Sequence, residues 1–203
     1  MEALDRNWRR LAGRIPAAAE ADAARIVRAF RGDIVLTPPR ASKWGSYRWR
    51  SDLGAKIFLN RDLQPEAMLI TLLHELAHAQ VKAWDGLGCA PHGAEWQRRY
   101  RELIAPFLAV PGVFSPAVAR ALQRQLHKPK ASCGAAPDLL RALRSDADAL
   151  RVEQLPEGTW FRLANRMEFR KGPKRRTRFA CIERKTGRTF AVHPLAEAVR
   201  LDA

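Results

Sequence analysis

The stretch "TLLHELAHAQ", Thr71 to Gln80, places two histidines and a glutamate inside one of the most apolar segments of the chain. Pro65 and Glu66 precede it as a helix start would, because proline suits the first turn and an acid complements the helix dipole there. Apolar residues then fill the turns through Val81, before two glycines end the pattern. We therefore expect one buried helix over about residues 65–81.

The polar side chains of this helix need partners. A buried imidazole or carboxylate without one costs several kcal/mol. His74 and His78 are four residues apart and share one helical face, which is the spacing at which two imidazoles reach one metal ion. Glu75 lies beside them, placed to take a proton from a metal-bound water without being a ligand. The pattern predicts a zinc site with Glu75 as its general base.

Catalytic zinc takes three protein ligands and keeps one position open, so a third ligand is expected nearby. The loop "DGLGCAPHGAEW" that follows offers Asp85, Cys89, His92 and Glu95. We favour His92, because it is the other imidazole within reach of a short return loop and it opens the next helix. The prediction is one zinc ion on His74, His78 and His92.

"HELAH", thirteen residues and then "HGAEW" resembles the SprT-like metallopeptidase family, whose eukaryotic member is Spartan. That family shows HExxH, a loop, and a third histidine followed by glycine, with an aromatic residue often a little further on. The matching positions here are His74, Glu75, His78, His92, Gly93 and Trp96. The resemblance covers about residues 27–108. It implies a zinc-dependent endopeptidase, and the Spartan type cleaves proteins crosslinked to DNA.

Other zinc peptidase classes agree less well with the sequence. A metzincin needs HExxHxxGxxH, but Val81 stands three residues after His78. A gluzincin takes its third ligand from a glutamate of a later helix, and Glu95 or Glu102 leaves that alternative open.

The segments around the motif predict an α+β fold, a zincin-like domain with a small antiparallel sheet packed on the active-site helix. A helix is expected over 17–30, followed by strands "DIVLT", "WGSYRWR" and "AKIFLN" between turn sequences. Two more helices are expected over about 92–108 and 116–126. By analogy with zincins, "AKIFLN" is interpreted as the edge strand that pairs with an extended substrate.

A change in composition predicts a second region. "HKPKASCGAAP", residues 127–137, has the mixture typical of a linker, so we expect a SprT-like domain over 1–128 and a tail over 129–203. The tail should contain a short helix from about Asp138 to Val152 and then a small basic β-meander.

Many SprT-like proteins carry a C-terminal zinc ribbon with two CxxC pairs, whereas this tail holds Cys181 and, nearby, His193. Two ligands cannot close a tetrahedral structural site. The tail is therefore expected to keep a ribbon-like shape without metal, although a partial zinc site at these two residues is an alternative. Its expected core is aromatic: Trp160, Phe161, Phe169, Phe179 and Phe190.

The charge balance predicts a polyanionic partner. Lysine and arginine number 36 against 21 acids, giving a formal net charge of +15. Arginines alternate with aromatic residues in the tail, an arrangement that can clamp phosphates while rings stack on bases. The expected DNA contacts are Arg170, Lys171, Lys174, Arg175, Arg176 and Arg178. The alternative is a solvated charged face above core aromatics.

Three function classes remain open from the sequence. The chain is expected to be a peptidase acting on DNA-associated proteins, a non-proteolytic zinc-containing nucleic-acid-binding regulator, or a zinc peptidase without a nucleic-acid role. No signal peptide or membrane span is evident, and Cys89, Cys133 and Cys181 are too scattered for a disulfide framework. We therefore expect a cytoplasmic monomer with a protein substrate, a DNA partner and no membrane association.

Overall fold

The computed structural model divides the chain into two compact units, Met1–Leu143 and Arg144–Ala203, each with its own hydrophobic core. It describes residues 2–40, 43–85, 88–126, 137–143 and 150–201. The division falls at 143/144 and not at 128/129, because Leu139 and Leu143 of the last helix of the first unit pack into that unit's core. The expected linker over 127–137 lies almost wholly outside the described residues, as does Cys133.

The first unit contains six α-helices and three strands within the described ranges. Its helices are α1 (Glu2–Leu11), α2 (Glu20–Ala29), α3 (Pro65–Gln80), α4 (Ala94–Leu108), α5 (Pro116–Leu126) and α6 (Pro137–Leu143). Its strands are β1 (Gly32–Thr37), β2 (Gly45–Arg50) and β3 (Gly54–Asn60). The mixed α and β composition predicted from the sequence is confirmed.

The sheet is mixed, so the prediction of an antiparallel sheet was wrong for one pair. The strand order is β1-β3-β2, with β1 parallel to β3 and β2 antiparallel to it. A tight turn joins β2 to β3 and forces them antiparallel, whereas β1 pairs with the opposite side of β3. The strand "AKIFLN" is therefore central. Both of its sides are paired, and it cannot be the edge that receives a substrate.

Helix α1, which the sequence analysis did not predict, covers the outer edge of β1. The buried Asn7 donates from Nδ2 to Gly32 O at 2.8 Å and accepts from the Ile34 N–H at 2.9 Å. Arg10 donates to Ile34 O. These side chains satisfy backbone groups that an edge strand otherwise leaves open, so pairing at this edge is blocked.

Helix α3 is buried on nearly all sides, from Ala67 through Ala77. Helix α4 packs against it with the face expected from its spacing, formed by Trp96, Tyr100, Leu103, Ile104 and Phe107, all buried. Burial of α3 places its polar residues in a low-dielectric setting. Within the described ranges, no helix combines the length and apolarity that crossing a membrane requires.

The second unit is an antiparallel sheet, as the alternating tail sequence predicts. Its strands are β4 (Trp160–Leu163), β5 (Glu168–Arg170), β6 (Lys174–Arg175), β7 (Arg178–Glu183), β8 (Thr189–Val192) and β9 (Ala198–Arg200). The order is β6-β7-β5-β4-β9, and β8 also pairs with β7. Phe161, Phe169 and Phe179 lie in its core with Cys181, whereas Phe190 is 38 % exposed and Trp160 is half-buried.

Candidate metal centre

Three histidine side chains of the first unit point at one another. The Nε2 atoms of His78 and His92 are 3.0 Å apart, and those of His92 and His74 are 3.3 Å apart. Within the described part of the chain, these three residues form the one group of three or more potential metal ligands whose ligand atoms lie within 4.8 Å of one another. Two nitrogens on one tetrahedral zinc ion are separated by about 3.3 Å, given Zn–N bonds of about 2.0 to 2.1 Å. The three nitrogens thus have a zinc-like spacing.

The local backbone explains how a histidine after α3 returns to it. One turn of π-helix, Val81–Asp85, follows α3 directly, and such turns often occur at functional sites. The chain then returns to His92, whose φ of 59° lies in the left-handed region. Non-glycine residues held there carry strain that the surrounding structure must offset. The fold therefore constrains His92 toward the other two histidines.

Three of the other candidates for the third ligand have partners elsewhere. Asp85 accepts from Arg98 Nη2 at 2.9 Å and from Arg99 Nε at 3.1 Å, which ties the π-helical turn to α4. The Cys89 thiol donates to the backbone oxygen of Asp85 at 3.4 Å. Glu102 is exposed and forms an ion pair with Arg99.

An aromatic side chain supports the three imidazoles. Trp96, fully buried on α4, has its ring centroid 4.6 Å from that of His74 and 4.7 Å from that of His92. Its indole N–H donates to His74 O at 3.4 Å, and its ring stacks on that of Tyr100 with the ring centroids 5.1 Å apart. Trp96 therefore restricts the rotation of two imidazoles and keeps water from that side of the site.

Burial keeps the histidines neutral. It lowers the pKa of His74 from 6.5 to about 3 and that of His78 to about 4, with smaller contributions from repulsion by the neighbouring histidines. Burial also lowers the pKa of His92. Only a neutral imidazole has a free lone pair for a metal, so near pH 7 all three nitrogens are in the form that binds zinc.

Glu75 is the buried carboxylate of the centre, with 6 % of its surface exposed. Burial raises its pKa from 4.5 to about 7, against opposing effects of a Tyr47 backbone hydrogen bond and of the positive charges of Arg40 and Lys43. The Tyr47 N–H comes from β2, so the sheet and α3 meet at this carboxylate. A carboxylate with a pKa near neutrality can both accept and return a proton near pH 7.

Arg40 is a contributor that the sequence analysis missed. It donates from Nε to Asn60 Oδ1 at 2.8 Å and from Nη1 to Ser46 Oγ at 3.2 Å. These bonds hold its charge where it acts on Glu75. An isolated arginine in a loop between two strands carries no sequence signal for this role.

The raised pKa of Glu75 predicts that this residue destabilises the metal-free protein in a pH-dependent way. Between pH 4.5 and about 7 the folded state retains a proton that the unfolded state loses, so stability falls as the pH rises through this window. Glu75→Gln should therefore increase the free energy of unfolding at pH 8 by an amount on the order of 3 kcal/mol. The gain should fade as the pH falls to 4.5.

Thermal unfolding of the metal-free protein, followed by tryptophan fluorescence, measures this gain, because five of the six tryptophans lie in the first unit. Because burial lowers the pKa values of His74 and His78, the folded protein also loses stability as the pH falls below 6.5. This effect is the same in wild type and variant, so it cancels in the difference. Exposed Glu102→Gln is the control. A gain that does not vary with pH would contradict the assignment.

The basic residues expected to contact DNA divide into two groups. Four of them form an exposed hairpin, here called the basic hairpin: Lys174, Arg175, Arg176 and Arg178. Arg170 is also exposed, on β5. Lys171 is not part of this surface, which corrects the sequence prediction. It is 6 % exposed, donates to the backbone oxygens of Glu153 and Leu155, and lies 4.1 Å from the centre of the Phe179 ring.

A mixed sheet against a buried helix, with three converging histidines and a glutamate, defines a domain with a candidate metal centre of the HExxH type. Residues 32–112 match the family model of the SprT-like family. This part of the chain is a SprT-like domain, and the resemblance found in the sequence is confirmed. That family is associated with metallopeptidase-like activity. Neither the curated proteins nor the solved structures give a significant match to the chain.

Proposed function

We propose that this chain is a zinc-dependent endopeptidase that acts on DNA-associated or DNA-crosslinked proteins. The proposed peptidase activity is supported by the convergence of the three Nε2 atoms beside a buried carboxylate. His74, His78 and His92 would hold the ion. Zinc at such a site lowers the pKa of water and polarises a carbonyl oxygen.

Glu75 supplies the proton transfer in this proposal. It accepts a proton from the attacking water and returns one to the leaving amine, which its pKa near neutrality permits. The Tyr47 N–H and the charge of Arg40 stabilise the carboxylate form and keep it available as a base.

The outer edge of β2 is the proposed place for the substrate backbone. The Asn60 N–H donates to Trp44 O, and hydrogen-bonded pairs alternate along an antiparallel ladder. The backbone groups of Gly45, Tyr47 and Trp49 therefore face away from β3, on the side where Tyr47 meets Glu75. The Tyr47 N–H is already bonded to Glu75, so an extended peptide would pair at this edge through the Tyr47 oxygen and the backbone groups of Gly45 and Trp49.

Gly45→Ala tests the role of this edge together with the peptidase activity. A Cβ at Gly45 would lie 2.7 Å from Glu75 Oε1 and 2.6 Å from Thr71 Cγ2, both too close. The added methyl group should displace the Glu75 carboxylate and leave zinc binding intact. Cleavage should fall by about 10²-fold, which is the lower end of the range for loss of a positioned base.

The assay is cleavage of a mixed peptide pool by the zinc-loaded chain, read by mass spectrometry. Gly88→Ala is the matched control, because a Cβ there meets nothing within 4 Å. Absence of cleavage by the wild type would refute the peptidase proposal. Equal cleavage by both variants would refute the placement of Glu75 against Gly45.

The DNA part of the proposal is supported by the basic hairpin. Within the described part of the chain its residues form no ion pair, whereas Arg162 and Arg184 both pair with Glu168. Cations without acidic partners are available to phosphates, and binding through them depends steeply on salt.

The triple variant Lys174→Gln, Arg175→Gln, Arg178→Gln should therefore weaken DNA binding. The slope of the logarithm of the binding constant against the logarithm of the salt concentration should become shallower. The expected change is about 0.7 to 0.9 for each phosphate that the variant no longer neutralises. Fluorescence anisotropy over a salt series measures both quantities. The control replaces three exposed arginines of the first unit with glutamine and so removes the same amount of positive charge: Arg14, Arg61 and Arg120. Equal weakening by both triples would contradict a hairpin site and indicate binding through net charge.

A further inference from the structure

A groove of about 530 Å³ lies in the first unit. It is bounded by α2, by β2 and β3, by the C-terminal half of α3 with its π-helical turn, and by Leu103 of α4. Its wall is mostly apolar and includes Ile26, Phe30, Tyr47, Trp49, Leu76 and Trp84. The proposed reaction mechanism does not use this groove.

The groove coincides with the exposed apolar surface of the first unit. Among the described residues of that unit, three large apolar side chains are strongly exposed: Trp49 (46 %), Leu53 (53 %) and Trp84 (64 %). The two tryptophans line the groove, and Leu53 lies in the turn that follows β2. Clustered exposed apolar side chains mark an interaction site in a soluble protein.

The charged residues at the groove are all cations. Arg25, Arg31 and Lys82 line it, and none of the described aspartates or glutamates does. Lys82 Nζ lies 4.0 Å from the centre of the Trp49 ring, and Arg25 makes an exposed ion pair with Asp22 at 3.1 Å. An apolar floor under a cationic rim is complementary to a large apolar side chain with acidic neighbours.

Tyr47 and α3 connect the groove with the candidate active site. Tyr47 donates its backbone N–H to Glu75, and its side chain lines the groove. Leu76 and Ala79 line it from the face of α3 opposite His74 and His78. The groove and the histidines therefore lie on opposite sides of a helix that is about 10 Å across. A peptide that spans this distance needs at least about three extended residues, at about 3.3 Å each.

From these observations we infer that the groove is a specificity pocket for the protein substrate, and the inference rests on the proposed peptidase function. The occupant is a large apolar side chain, aromatic by preference, at least about three residues from the scissile bond and flanked by aspartate or glutamate. A peptide on the outer edge of β2 presents every second side chain to the groove. That backbone pairing favours a peptide over a nucleic acid.

The test uses the full zinc-loaded chain carrying Glu75→Gln, so that binding is measured without turnover. The first of three fluorescent peptides has one phenylalanine between acidic residues. The second has alanine for the phenylalanine, and the third has lysines for the acids. Ala29→Trp fills the groove, because Ala29 is an exposed wall residue at the end of α2. Ala21→Trp is the control, on the same helix, exposed and outside the groove.

The first peptide should bind about tenfold to a hundredfold more tightly than either of the others. Ala29→Trp should remove that advantage, and Ala21→Trp should keep it. The specificity pocket would be contradicted if all three peptides bound equally. It would also be contradicted if the first peptide still bound more tightly than the others to Ala29→Trp. A single-stranded oligonucleotide that competes with the first peptide and is itself blocked by Ala29→Trp would contradict it as well.

Cleavage by the chain with Glu75 intact separates the two proposals. Cleavage without a preference for a large apolar residue at any position three or more residues from the scissile bond refutes the pocket and leaves the peptidase standing. Selective binding of the first peptide without cleavage refutes the peptidase, and with it the pocket's role in choosing substrates.

Discussion

Glu75→Gln in the zinc-loaded protein is expected to reduce peptide cleavage by about 10²- to 10⁴-fold, the usual contribution of a positioned general base. Glutamine has nearly the same shape but cannot accept the proton. The three histidines are unchanged, so zinc binding should be retained. Initial rates on a peptide found in the cleavage assay, together with zinc content by elemental analysis, measure both parts.

Glu102→Gln, on the exposed face of α4, is the matched control and should retain full activity. Wild-type turnover that Glu75→Gln leaves unchanged would exclude Glu75 as the base. A protein that binds zinc and DNA but cleaves nothing would instead support the non-proteolytic regulator considered from the sequence.

His92→Ala is expected to lower zinc affinity by more than 100-fold. Loss of a residue that only orients a metal ligand costs about 10- to 100-fold in affinity, and a direct ligand should cost more. Competition with a chromophoric chelator at pH 7.5 measures the constant. At this pH the histidines are neutral in the folded protein, so proton competition does not obscure the result.

His193→Ala provides the histidine control, since this residue lies in the second unit, where its Nδ1 accepts from the Leu195 N–H. If His92→Ala bound zinc as tightly as the wild type, the third ligand would be another residue of the loop. Cys89→Ser and Asp85→Asn would then identify it.

Helices α2 to α5 and the three converging histidines could be predicted because their signals are local. The four-residue spacing of His74 and His78 fixes a common face, and the proline, acid and glycine signals fix the ends of α3 to within a few residues. His92 was preferred on chemistry and reach. The structure adds what local sequence lacks, a π-helical turn and a left-handed backbone that bring this residue back to α3.

The parts that could not be predicted depend on contacts between distant segments. The sequences of β1 and β3 do not indicate that the two strands run parallel, and the error in strand order placed the free edge on β3 instead of β2. Helix α1 is held against the edge of β1 by hydrogen bonds of Asn7, and no periodic pattern in the sequence indicates this contact. Lys171 looks like its exposed neighbours in sequence, but its ammonium group is buried against backbone oxygens.

The coordination of bound zinc tests the central claim most directly. X-ray absorption at the zinc edge of the full chain, loaded with one equivalent, should show three imidazole nitrogens and one further light ligand at about 2.0 to 2.1 Å. His92→Ala should reduce the imidazole count by one. A sulfur ligand, a shell of oxygens alone, or an imidazole count unchanged in His92→Ala would contradict the three-histidine centre.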